Sequence, residues 1–224
     1  MSSNDFKVRR RWPSEIADLA ARWRQAGSDG HSANWFDVVN FLNDIVVPGL
    51  ASKDRRVEIE LVDDEEPEQA WVDIAKGKLF VRGAVWQKAK QHDPRARLII
   101  AHEIGHLILH TDQVYSFTKP YEYGLRSIED NESAEHQANW FAWSLLLPDS
   151  VLLRLRKTLT TSSIATLTLV EDKVVELRLN QLALDKRYRG SFTGDECPEC
   201  GSLDVARNGI TSVCDQCGLQ IESS

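Results

Sequence analysis

Residues 93–110, DPRARLIIAHEIGHLILH, decide how the rest of the chain is read. Asp93 and Pro94 supply an N-cap and a first helical residue. The run that follows is apolar over most of its circumference, which predicts a helix buried on most sides. Inside it stands His102-Glu103-Ile104-Gly105-His106, an HExxH. Residues four apart on a helix differ by about 40° in rotation and about 6 Å in rise, so both imidazoles can reach a single Zn²⁺. Glu103 then sits beside the metal, where a carboxylate can take a proton from water. Two satisfied core histidines are the bland alternative. It leaves Glu103 as an unpaired charge in an apolar helix, which is costly, and chance alone produces the pattern in only about one such sequence in a hundred.

A catalytic zinc has three protein ligands and an open position, so a third ligand is needed. His110 extends the motif to HExxHxxxH, but it lies on the same helix as the other two, and a packed position near the helix end or a supporting contact suits it better. Glu135, on the next long helix pattern, is the preferred candidate. Ala138 and Ala142 lie three and seven positions beyond it, so Glu135 shares a face with small residues that permit close approach of two helices. Asn139, four positions on, falls on the same side and is placed to accept the free ring N–H of a ligating histidine. Glu132 is the runner-up and His136 comes third. The alternative for Glu135 is a solvated acidic face shared with Glu129, Asp130 and Glu132.

Outward from this core, periodicity organises the chain. Ile16, Leu19, Ala20 and Trp23 predict a helix opened by Pro13 and closed by Gly27 to Gly30. A second helix presents Trp35, Val38, Val39, Leu42, Ile45 and Val46 and is expected to stop at Pro48 and Gly49. Val57, Ile59 and Leu61 alternate with glutamates as in a half-buried strand. Trp71 to Ile74 and Leu79 to Val81 flank a Lys76-Gly77 turn and read as a hairpin. Thr111 to Arg126 reads as a loop. A helix is expected from about Ile128 to Leu147, ended by Pro148, and further helices run through VEDKVVELRLNQLAL before a break at Gly190 to Gly194.

All four cysteines of the 224 residues lie in CPECG and CDQCG, at Cys197, Cys200, Cys214 and Cys217. Two such knuckles bring four thiolates within tetrahedral reach, and in a chain read as cytosolic the pattern favours a structural zinc ribbon over disulfides. The formal net charge is −7, and the ribbon has six acids against Arg207 alone. Nucleic-acid binding there is not expected; protein docking or a structural role is. The modest basic excess between Val151 and Gly190 is read as a solvated face. No apolar run approaches the roughly 20 residues of a membrane span, and the basic N-terminus has no export core.

HEIGHLILH followed about 30 residues later by EHQANWFAWSLLLP resembles the ImmA/IrrE family of intracellular zinc peptidases, and the likeness extends roughly from Asp37 to Leu184, including RLNQL. The resemblance implies a compact gluzincin-like fold, with His102, His106 and Glu135 on zinc and Glu103 as general base. It also implies a substrate class, since relatives cleave helix-turn-helix repressors and so induce stress-response or mobile-element genes. The chain departs from the family pattern by its added cysteine module. The expected architecture is therefore α+β: a helix-rich, zincin-like domain with a small sheet over residues 1–190, then a four-cysteine ribbon over 195–224. Two zinc ions, a protein substrate, no membrane partner and a cytoplasmic location complete the expectation. Tyr115, Tyr121, Tyr123 and His110 all remain open as the group that stabilises the oxyanion. The competing function is a protein-binding adaptor or antitoxin-like regulator with a structural metal; the intact Glu103 argues against it, because a structural site needs no general base.

Overall fold

The computed structural model describes residues 5–27, 34–110 and 128–184, and the strands 205–208, 211–214 and 220–222. The chain divides into two compact units, Met1–Leu146 and Leu147–Ser224. It is helix-rich with a small three-stranded sheet in the first unit, an α+β arrangement. The expected loop at Thr111 to Arg126 and the break at Gly190 to Gly194 lie outside the described residues.

Helix α1 (Pro13–Ala26) begins where expected. Pro13 occupies the first turn, Glu15 accepts the Trp12 N–H at 2.7 Å, and Ile16, Ala17 and Ala20 are buried. The next helical stretch differs from expectation, because it passes through Pro48 instead of stopping there. It is built from α2 (Val38–Phe41), a π-helical turn (Leu42–Val46) and α3 (Val47–Ala51). The wider turn carries the Val47 N–H to Leu42 O, and Pro48 then falls in the first turn of α3, where a missing N–H costs no helical bond.

Strands β1 (Glu58–Val62), β2 (Ala70–Asp73) and β3 (Lys78–Arg82) form a mixed sheet in the order β1-β3-β2. Strands β2 and β3 are the expected hairpin, antiparallel with Val72 opposite Leu79. Its turn needs glycine, since Gly77 has φ +64° and a Cβ there would stand 2.4 Å from Arg56 O. Strand β1 pairs parallel to β3, but its expected half-buried face is corrected at one end. Burial falls from Val57 at 7% exposed to Leu61 at 51%, because the strand runs outward into the exposed acidic turn that follows it.

Helix α4 (Gly83–Lys90) leads to α5 (Pro94–His110), whose Asp93 Oδ1 accepts the Ala96 N–H at 2.8 Å as the N-cap reading required. Ile100, Ile104, Leu107 and Leu109 are essentially fully buried, each contributing about 1.5–3 kcal/mol of apolar burial. Helix α6 (Ala134–Leu146) starts later than Ile128. A 3₁₀ turn (Asp130–Glu132) precedes it, and Ser133 Oγ accepts the His136 N–H at 3.0 Å. The acidic run before Ser133 thus forms the approach to the helix, since a short hydroxyl side chain at this point caps a new first turn. Helix α6 packs along α5 and also against α1, while α2, α4 and β2 cover other sides of α5. That enclosure is why α5 is apolar nearly all round.

In the second unit, α7 (Asp149–Leu155), α8 (Thr161–Thr168) and α9 (Asp172–Leu184) follow. Leu169 adopts φ +55° between α8 and α9. Buried Arg178 of α9 donates to Leu147 O and Gln181 Oε1 and pairs with Asp149, tying α9 to the start of α7. Strands β4 (Val205–Asn208), β5 (Thr211–Cys214) and β6 (Gln220–Glu222) make a second, antiparallel sheet.

Candidate metal centre and active site

Helices α5 and α6 meet where the first carries Gly105 and the second Ala138. A Cβ on Gly105 would lie 3.0 Å from both Cα and O of Ala138, so the glycine inside the HExxH sets how near the two helices come. Gly105→Ala is expected to lower the unfolding free energy by about 1 kcal/mol. The clash with helical backbone is worth roughly 1–3 kcal/mol, and the gain in helix propensity of about 1 kcal/mol only partly offsets it. A urea titration measures this, and a stabilised variant would show that α6 can retreat without cost.

At this close contact His102 and His106 from α5 face Glu135 in the first turn of α6. His106 Nε2 lies 3.0 Å from His102 Nε2, and the Glu135 oxygens are 3.4 Å from His102 Nε2 and 3.5 Å from His106 Nε2. One ligand atom from each can be chosen so that all lie within 4.8 Å of one another. The vertices of a tetrahedral zinc site with bonds of about 2.0–2.1 Å are about 3.3 Å apart, so the spacing fits such an ion. Hydrogen bonding agrees with it. Asn139 Oδ1 is 3.0 Å from His102 Nδ1 and accepts the ring N–H there, which leaves the Nε2 lone pair turned toward the other two donors. Burial, reinforced by His102 and His110, holds His106 well below the ordinary histidine range, so this ring is a neutral donor. Burial alone would lower His102 too, but its hydrogen bond to Glu135 and the charges of Glu103 and Glu135 raise it.

Glu103 is 7% exposed. Burial raises its carboxyl to about 7; Glu135 and Glu68 add to the rise, while His102 and a hydrogen bond from the Val72 N–H of β2 oppose it. A buried carboxyl raised toward neutrality, beside a trio that could hold a cation, is suited to proton transfer. The Val72 contact was not visible in the sequence, because a backbone donor has no side-chain signature. The only hint was the hairpin itself, whose β2 lies at an edge of the sheet.

The other candidates sit elsewhere. His110 is fully buried one turn beyond His106, with ring centroids 5.3 Å apart, and its Nε2 lies 3.3 Å from Ala134 O. Burial pushes it down to about 4. It packs α5 against the start of α6 and does not join the trio. Glu132 pairs with Lys7 and Arg10, and half-exposed His136 turns to Asp130 and Ser133. Cys214 ends β5, while Cys197, Cys200 and Cys217 lie outside the described residues, as do Tyr115, Tyr121 and Tyr123.

Residues 73–180 match the family model for the IrrE N-terminal-like domain, peptidase family M78. The matched range contains β3, α4, α5, α6, α7 and α8 and reaches into α9. No curated protein matches the chain.

Proposed function

Because residues 73–180 match the family model for the IrrE N-terminal-like peptidase domain, we propose that the chain is a zinc-dependent endopeptidase acting on a specific regulatory protein. The observation that carries the reading is the convergence of His102, His106 and Glu135 on one side of Glu103. His102, His106 and Glu135 would hold the ion, and Asn139 would orient His102. When bound, zinc acts as a Lewis acid toward water and the scissile carbonyl. Glu103 accepts the proton of the attacking water on its carboxylate and returns it to the leaving amide nitrogen. The carboxylate is the acceptor in the first transfer and, once protonated, the donor in the second. Strand β2 presents an edge beside Glu103, and an extended substrate segment would add to it as a further strand. Cleavage therefore requires a segment that can be drawn out straight, as in a linker or an unfolded loop.

The family points to a helix-turn-helix repressor as substrate and to induction of stress-response or mobile-element genes as outcome. A cytoplasmic location follows from such a target; among the described residues no helix is long and apolar enough to cross a membrane. The test is incubation of zinc-loaded protein with regulators encoded beside its gene, followed by mass spectrometry. A discrete cleavage that disappears with chelator supports the proposal. Intact regulators that nonetheless bind tightly would favour an adaptor.

The paired CxxC knuckles, with β4, β5 and β6 beside them in sequence, support a second zinc held by Cys197, Cys200, Cys214 and Cys217. Removing residues 195–224 is expected to lower zinc content from about two equivalents to about one and to leave the His102-dependent ion in place. Elemental analysis decides. Loss of both ions would show that the first site needs the cysteine module.

A further inference from the structure

Residues 5–12 precede α1 and lie outside the matched range 73–180, yet they hold the ends of both helices that carry the trio. They run alongside the approach to α6. Ala134 N–H donates to Phe6 O at 3.1 Å, Val8 N–H to Glu132 O at 2.8 Å and Arg11 N–H to Asn131 O at 2.9 Å. At the end of α5, Arg11 Nη1 donates to Leu109 O at 2.8 Å, and Phe6 meets the ring of His110 edge-on at 6.1 Å. At the start of α6, both oxygens of Asp5 are engaged. Oδ1 accepts the Glu135 N–H at 3.2 Å, and Oδ2 accepts the Ser133 hydroxyl at 2.7 Å.

The first four N–H groups of a helix have no partner within it, and an anion there also opposes the helix dipole. Asp5 supplies the anion, and it bonds the backbone of the very residue whose carboxylate faces His102 and His106. Glu135 sits in a first turn, the part of a helix that frays most readily, so the direction of its side chain depends on what ties that turn down. A cation at the basic end of the segment and an anion at the other fit the two helix ends they meet, the C-terminus of α5 and the N-terminus of α6.

We infer that Asp5 is a positioning residue of the metal centre, fixing Glu135 toward the two histidines by holding its backbone. This rests on the metal centre proposed above. The test uses the full chain loaded with cobalt(II), the signal being the part of the visible absorption that His102→Ala abolishes. Asp5→Ala is expected to weaken cobalt binding at this site by about tenfold, the lower end for outer partners of metal ligands, and to change the absorption envelope. Asp5→Asn keeps an acceptor for the Glu135 N–H and is expected to stay within about threefold of the parent chain. Arg10→Ala removes the ion pairs to Glu129 and Glu132 and leaves the Asp5 bonds intact, so it should change Tm but not cobalt affinity. If Asp5→Ala fails to fold, Asp5→Glu, with its carboxylate carried about one bond too far, takes its place with the same expectation. Parent-like affinity and absorption in Asp5→Ala would overturn the inference, as would affinity that simply follows Tm in both Asp5→Ala and Arg10→Ala. A parent chain with no cobalt signal lost in His102→Ala would overturn the metal centre instead, and the two failures are thereby distinct.

Discussion

Glu103→Gln is expected to lower peptide cleavage by about 10²- to 10⁴-fold, the range for loss of a general base, with the fold and the metal content unchanged. Glutamine matches the size of the side chain and keeps a carbonyl oxygen for the Val72 N–H, so the contact with β2 survives. It carries no charge to be desolvated at a site that is 7% exposed, which favours folding if anything. What it lacks is a basic oxygen for the proton of the attacking water. Steady-state cleavage of the identified regulator, with zinc measured on the same sample, separates the two effects. Undiminished cleavage in a metal-replete Glu103→Gln protein would sink the mechanism, whereas an adaptor would show normal partner binding and no activity to lose.

His102→Ala is expected to remove about one zinc equivalent per chain and all detectable cleavage. The substitution takes away one of three converging donors and leaves Asn139 Oδ1 without the ring N–H beside it. Two donors, His106 and Glu135, do not close a site that needs three protein ligands. Glu135→Gln should be milder, lowering affinity because a neutral amide replaces an anionic ligand while the trio keeps its shape. Elemental analysis after dialysis orders the three proteins as parent, Glu135→Gln and His102→Ala. An unchanged zinc content in His102→Ala would remove the assignment of the trio as the catalytic metal site.

Much of the candidate site was legible in one dimension because its chemistry is carried by side chains at helical spacing. His102, Glu103 and His106 lie on one short stretch, and the small residues Ala138 and Ala142 marked the face of α6 that could come close. Glu135 was preferred over Glu132 and His136 on that pattern alone, and the structure faces Glu135 toward both imidazoles while turning the other two away. Less could be read where backbone decides. The π-turn that lets α2 and α3 run through Pro48 has no pattern in side-chain hydrophobicity. The late start of α6 depends on Ser133 capping a turn that periodicity had assigned to an ongoing helix.

The sequence by itself determined the helix α5, its N-cap, the placing of His102 and His106 one turn apart, the hairpin and the partner face of α6. Each is a local matter of residue type and a period of 3.6 or 2, fixed by sterics and burial within a few turns of chain. Only the tertiary structure decided which edge strand reaches Glu103, how near Gly105 lets α6 approach, and that Asp5, 130 residues before Glu135, holds its backbone. Each of those contacts has backbone on at least one side, the Val72 N–H, the Glu135 N–H or the Ala138 backbone, and backbone is common to every sequence. They take on meaning only when packing has brought distant segments to within about 3 Å of each other.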